Sequence, residues 1–390
     1  MLRSLYSGIS GLRSHQTMLD VTGNNIANVN TAGFKSSTVQ FQDTLSQVTR
    51  NGSAASPGAG GTNPAQVGLG VQVAGISTNF AQGSAQATGR SSDMMISGDG
   101  FFVTSKGGQQ LYARAGSFDF DSAGRLVSPD GALLQGWSAA NGQVNAGAGL
   151  GNITISKQMM APAAATTTAT MGGNLPDDAA VGTALTRDVK VFDASGKASN
   201  LALTFTRTAA GWDVAGADAN GGTGATALTF AGGKQTSGGP LTVGGIAVDL
   251  SGVTGAAELS TVSVTGKNGN AAGTLDSFSM GADGTLTGTF SNGENAVIGR
   301  VALANFANAG GLEKAGSSSY RATASSGMAA IGTAGENGLG SLVGGYVEMS
   351  NVDLSQEFTN LIVAQRGFQS NARIITTSDE VLQELTQLKR

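Results

Sequence analysis

Hydrophobic positions at the two ends of this chain fall at helical spacing. Leu2, Leu5, Ile9, Leu12, Leu19 and Ile26 share one register of a three-four repeat, interrupted only at Gln16 and Gly23. Arg3, Ser7, Ser10, Ser14 and Thr17 occupy the opposite register. An apolar face backed by a small, hydroxyl-bearing face predicts an amphipathic helix over residues 1–30. It runs into an asparagine-dense stop, NNIANVNTAGFK, at residues 24–35. Asparagine tolerates left-handed backbone and competes for helical hydrogen bonds, so Asn24, Asn25, Asn28 and Asn30 suit either a frayed end or a hydrogen-bonded junction. A second helix is predicted over residues 352–390. Leu354, Phe358, Leu361, Phe368, Ile375 and Leu382 lie on its apolar register, with Leu385 beside it. Ile362, Val363, Ile374 and Val381 widen that side beyond a two-helix seam, which implies more than one neighbour. Lys389 and Arg390 stand at its C-terminal end, where cations favour the helix dipole.

Between the ends the period changes to two. Residues 71–150 carry short alternating runs broken by turn signals: Gly98-Asp99-Gly100, Ser122-Ala123-Gly124 and Pro129-Asp130-Gly131. That spacing predicts antiparallel hairpins. Residues 151–296 continue as strands but with Ala/Thr runs and glycine tracts, the texture of an inserted β domain. VIGRVALANF at 297–306 looks like the return into the first β domain. Gly52, Pro57, Gly58, Gly60, Gly61 and Pro64 predict an extended linker before residue 71, and residues 325–351 a second connector. The expected fold is therefore mixed but mainly β. Discontinuous β domains are nested between N- and C-terminal α-helices that pair as a coiled-coil-like inner domain. The division is 1–30 with 352–390, 31–70 with 325–351, 71–150 with 297–324, and 151–296. Helices at opposite ends can meet only if the chain between them runs out and back.

Composition narrows the function. There are 390 residues, enough for two or three domains, with 61 Gly and only 12% charged residues. Low charge weakens repulsion between copies. A net charge of −4 offers no electrostatic case for nucleic acid. No long apolar run predicts membrane insertion, and the periodic N-terminus lacks the continuous core of a cleaved secretory signal. There is no cysteine and hence no disulfide framework.

Candidate chemistry is thin. His15 is the only histidine, so a zinc site or a nucleophile–histidine pair lacks partners, and a packing contact explains it better. Asp119, Asp121, Gly124 and Asp130 echo a calcium loop, but Ala123 stands at the third ligand position; a strand and turn suffice. Gly147, Gly149 and Gly151 lack the spacing and the Lys-Ser/Thr of a phosphate loop and read as a hinge. No catalytic residue, cofactor or metal is expected.

The end motifs carry a resemblance. NNIANVNTAGFK (24–35), SGDGFFV (97–103), YARAGSFDFDSAGRLVSPDGALLQGW (112–137), VALANFANAGGLEKAG (301–316) and VEMSNVDLSQEFTNLIVAQRGFQSNARIITTSDEVLQEL (347–385) resemble, in order, the bacterial flagellar axial proteins of rod and hook. The insertion between Leu150 and Val297 is similar to hook-type rather than distal-rod members. The resemblance implies a helical tube of identical subunits that transmits torque as a flexible joint and encloses the export channel. It further implies export through the type III apparatus without a cleaved signal. The implied partners are further copies, rod proteins, the hook cap and the hook–filament junction proteins. Some members cross-link subunits through a cysteine-derived lysinoalanine; the absence of cysteine excludes that here.

The expected polymerisation interface is Leu5, Ile9, Leu12, Leu19, Asn24, Asn25, Ile26, Asn28, Asn30, Leu354, Phe358, Leu361, Ile362, Phe368, Ile375, Leu382 and Leu385. A distal-rod protein, a secreted β-rich surface protein and a carbohydrate-active enzyme are the other classes open at this point. The last of these lacks a convergent carboxylate pair.

Overall fold

The computed structural model describes residues 2–54, 57, 58, 60–140, 142–156 and 158–387. The side chain of Leu2, and Lys389 and Arg390 with their expected place on the helix dipole, lie outside the described residues. The chain divides into two compact units and passes between them after Ile155, Phe278, Leu286 and Val297.

The first unit holds both terminal helices, α1 (Leu2–Ala27) and α2 (Leu354–Gln387), which pack on each other. Asp353 caps α2: its carboxylate accepts the backbone N–H groups of Ser355 (2.8 Å) and Gln356 (3.2 Å). After α1 the chain forms an arm of four strands, β1 (Ser37–Asp43), β2 (Ser46–Arg50), β3 (Ala65–Gly68) and β4 (Val71–Thr78). β1 pairs antiparallel with β4, and β2 with β3. The linker expected at 50–70 is thus largely the far end of a long hairpin. Its glycines and prolines crowd the tip, while the flanking residues pair. The connector expected at 325–351 is likewise strand-bearing. Ala330–Gly332, Ser341–Gly344 and Tyr346–Glu348 pair with Leu303–Asn305, Met94–Ser97 and Ala85–Ala87. Here backbone pairing with distant strands overrides the local glycine signal.

The β core of this unit is built on the hairpin Phe101–Lys106/Gln109–Ala113, turned at Gly107-Gly108. Leu303–Asn305 returns beside Phe101–Lys106, and Ser319–Arg321 beside Gln109–Ala113. Rings from four segments meet edge to face: Tyr112 on Phe306 at 4.8 Å, Phe80 on Tyr320 at 5.2 Å and Phe80 on Phe101 at 5.5 Å. This geometry adds to the burial of each ring.

The second unit comprises residues 156–278 and 287–297. Five strands run as an antiparallel meander: Ala184–Phe192, Ala198–Arg207, Trp212–Asp218, Thr223–Ala231 and Lys234–Ser237. A four-stranded sheet contains one parallel pair, Thr168–Asn174 with Ile246–Thr254, which the hairpin signals did not anticipate. Leu201, Leu203 and Phe205 alternate inward from the meander and pack with Trp212, Met171, Val243 and Val248. Leu203→Ala should lower the stability of this unit by about 2–5 kcal/mol, because a fully buried leucine leaves a cavity. Denaturant unfolding followed by Trp212 fluorescence measures it.

Candidate assembly site where the two ends join

The region in which both chain ends converge begins at the C-terminus of α1. Asn28 closes the helix: its carboxamide donates to the Asn24 carbonyl oxygen (2.9 Å), and its own oxygen accepts from the Thr31 hydroxyl (3.1 Å). The chain turns at Gly33 in left-handed backbone (φ 69°), where a side chain would strike the backbone of Ala115. The Gly33 N–H donates to the Glu348 carbonyl oxygen at 2.8 Å.

Two residues past Gly33, Lys35 is driven fully inside. Its ammonium donates to Glu348 Oε1 at 2.6 Å and to the Ala81 carbonyl oxygen at 2.7 Å. Glu348 Oε1 also accepts the Gly83 N–H (2.8 Å), and Oε2 faces Arg114 Nη1 at 3.5 Å. Arg114 donates to the Gly98 carbonyl oxygen at 2.9 Å and lies over the Phe101 ring at 5.3 Å. Lys35 and Glu348 side chains are 0% exposed and Arg114 2%. Burial, opposed by the hydrogen bond to Glu348, lowers the Lys35 pKa from its ordinary value. Burial likewise pushes the nearby Tyr320 phenol up to about 12.

A parallel tie stands one step back. Asn25, 1% exposed, donates to the Ser37 carbonyl oxygen (2.8 Å) and to Glu357 Oε1 in the first turn of α2 (3.0 Å), and accepts the Ser37 N–H (3.0 Å). Asn351 accepts the Ser36 N–H (2.8 Å) and donates to the carbonyl oxygens of Asn79 (2.8 Å) and Ala81 (3.0 Å). Asn25 therefore stitches its own chain's α1, β1 and α2 together. Asn24 and Asn30 are exposed and Asn28 is half-buried.

On the helices, Leu5, Ile9, Leu12, Leu19, Ile26, Leu361, Phe368, Ile375 and Leu382 are half-buried. The positions on α1 that are fully covered are Gly8, Gly11, Ser14, Thr22 and Asn25, so small and polar residues, not the leucine register, make the closest contacts. Part of the hydroxyl face meets the arm of the same chain, where Ser10 Oγ accepts the Val71 N–H at 3.3 Å. Leu354, Phe358, Ile362 and Leu385 stay exposed, as do Val363, Ile374 and Val381. Glycine tolerates close backbone approach, and an apolar-period count is blind to it.

The weaker motifs resolve into local structure. The Asp121 carboxylate accepts the N–H groups of Ala123 (2.9 Å) and Arg125 (2.8 Å), and these bonds, with the Arg125 side chain, hold its pKa below the usual carboxylate range. Asp119 pairs with Arg90 (3.2 Å) and Asp130 with Lys106 (3.1 Å). Among the described residues no cluster of three His, Asp or Glu side chains could hold a metal ion. Gly147–Gly151, expected as a hinge, is pinned to its own unit: Trp137 Nε1 donates to the Ala148 carbonyl oxygen (3.0 Å) and Gly151 pairs with Gly136. His15 packs between α2 and Phe41, 6.0 Å from that ring.

The segments that meet here are those matched by known families. Residues 5–35 match the flagella basal body rod protein family, 95–167 the flagellar hook protein FlgE/F/G D1 domain and 343–388 the flagellar basal body rod FlgEFG protein C-terminal family. The flagellar hook protein FlgE of Borreliella burgdorferi is 38% identical over 444 residues, and that of Treponema pallidum 36% over 464, each covering all of both chains. The chain belongs to the flagellar hook protein family. The Bacillus subtilis flagellar basal-body rod protein FlgG is also similar, 35% identical over 391 residues and all of both chains.

The hook-family signatures at the two ends are thus joined physically, Lys35 and Asn25 of one to Glu348 and Glu357 of the other. Lys35, Arg114, Glu348, Asn351 and Glu357 have no helical or strand periodicity to mark them. They do lie inside the quoted family motifs, and within those they stand out as charge or amide set among apolar and small residues in a chain poor in charge.

Glu348→Ala should cost about 3–5 kcal/mol, since two buried cations would lose their counter-charge; equilibrium unfolding reports it. Tyr320 makes a second test. Its raised pKa contributes stability that is fully present below pH 10 and lost as the pH climbs through about 12, at most about 2.7 kcal/mol. Unfolding of the wild type and Tyr320→Phe, compared between pH 9 and 12, should show that this loss is absent from the variant.

Proposed function

We propose that the chain is the subunit of the bacterial flagellar hook and polymerises through its helical ends into a tube. Membership of the hook family and the exposed apolar side of α2 carry this reading. Phe358, Ile362 and Val363 are 51%, 57% and 53% exposed, yet lie on a helix already packed against α1. Each such residue gains about 1.5–3 kcal/mol on burial, so a row of them on many identical copies favours association. Leu354 lies one turn before Phe358 on the same strip, Val363, Ile374, Val381 and Leu385 form a second exposed strip on another side of α2, and Tyr6 adds an exposed ring on α1. Asn24 and Asn30, exposed beside the helix end, are available to neighbouring copies.

In this reading the helix pairs line the export channel, while the β units form the outer layers of a joint that bends and transmits torque. Rod proteins, the hook cap and the junction proteins would meet the two ends of the polymer. Export without a cleaved signal follows the family. The tie at Lys35, Glu348 and Arg114 would carry load from the helical pair into the β core of the first unit.

Electron microscopy of concentrated protein tests the proposal. The wild type should form tubes; Phe358→Asp and Ile362→Asp should form none at the same concentration while keeping the wild-type unfolding midpoint, because both sites are exposed in the folded chain. Tubes from both variants would refute the assignment of this face to assembly.

A further inference from the structure

α1 and α2 run antiparallel: Gly8 lies beside Asn371 and Ile375, His15 beside Gly367, and Asn25 beside Glu357. At the middle of this seam each helix offers a glycine and, four residues on, a large polar side chain. α1 carries Gly11 and His15; α2 carries Gly367 and Asn371. The pairs fit reciprocally. A Cβ placed on Gly367 would sit 2.5 Å from the His15 ring, and one on Gly11 would sit 2.6 Å from Asn371 Oδ1. Asn371 is held over its notch by donating from Nδ2 to the Gly367 carbonyl oxygen at 2.9 Å. Beside Gly11, Gly8 faces the Asn371 carbonyl oxygen and Ile375 with room for a methyl group, so the tight fit is confined to Gly11 and Gly367.

We propose that this interlock, Gly11–Asn371 and Gly367–His15, sets the register of the helix pair and selects which α2 an α1 accepts. The apolar stripe cannot do this. Its residues recur every turn or two, so a slip by one turn leaves leucine against isoleucine at little cost. The interlock has no such repeat. Sliding α2 by one turn brings Val363 or Asn371 against His15, either of which overfills the space that Gly367 leaves. A terminal helix lacking a glycine at the position of Gly367 is refused for the same reason. The role extends the polymer reading by naming what keeps the helix pair in one register, so that bending is taken up elsewhere.

Helix propensity and the interlock predict opposite outcomes for one substitution. Alanine is the better helix former, so Gly367→Ala should strengthen α2 if the seam tolerates a methyl group. The interlock predicts the reverse: Gly367→Ala raises the critical concentration for tube formation about ten-fold and speeds amide exchange in α1 by a similar factor. His15→Ala alone has a smaller effect, and the His15→Ala/Gly367→Ala pair returns to within about three-fold of the wild type. Gly11→Ala should be rescued by Asn371→Ala in the same way. Tube formation or tighter exchange protection in Gly367→Ala equal to or better than wild type overturns the interlock, as does a double variant no better than Gly367→Ala. If the wild type itself forms no tubes, the polymer reading fails, and the interlock is decided by exchange in the soluble chain alone.

Discussion

A carboxylate buried between two cations governs how this chain is closed. Glu348 arrives 313 residues after Lys35 along the chain, yet the two meet at 2.6 Å with no exposed surface on either side chain. Burying an ammonium or a carboxylate alone would cost several kcal/mol, so neither end signature can take its place without the other. Backbone groups at Ala81, Gly83 and Gly98 complete the coordination, which draws the arm's return strand and the β core into the same closure. A misassembled end would leave a charge unpaired in an apolar interior.

From this point the hierarchy of the molecule follows. The polar closure orients the exit of α1 and the entry of α2, through Asn25 and Glu357 above all. The helices then approach through glycine and small polar residues. That close seam leaves Phe358, Ile362 and Val363 of α2 exposed, the residues proposed above for assembly. In the proposed assembly this division separates tasks by chemistry: directional hydrogen bonds and packed notches within the subunit, and non-directional apolar surface between subunits.

Much of the architecture was legible in the residue pattern. The two helices, the mainly β interior and the return strand at 297–306 are local in origin, written in periods of 3.6 and 2 and in turn glycines. The arm was not, because Gly- and Pro-rich residues at its tip masked strands whose partners are distant in sequence, from Arg50 with Ala65 to Ser37 with Thr78. Nor was the parallel pair in the second unit, since nothing local distinguishes a strand's direction of pairing. The asparagine cluster was visible as a helix stop. That Asn25 turns inward while Asn24 and Asn30 face solvent depends on where α2 lies.

The sequence by itself determined the terminal helices, the mainly β character between them and the family, because helix period, strand alternation and the end motifs are properties of neighbouring residues. Only the tertiary structure decided which face of each helix is spent inside the subunit. Periodicity ranks residues by hydrophobicity, and the leucine register ranked first. Close packing ranks them by the room left for a side chain, and there Gly11 and Gly367, filled by Asn371 and His15, come first. The pairing of Lys35 with Glu348 and Arg114 belongs to the second kind as well: a charge inside the fold is tolerable only where its opposite is delivered by a distant segment, and no local pattern encodes that meeting.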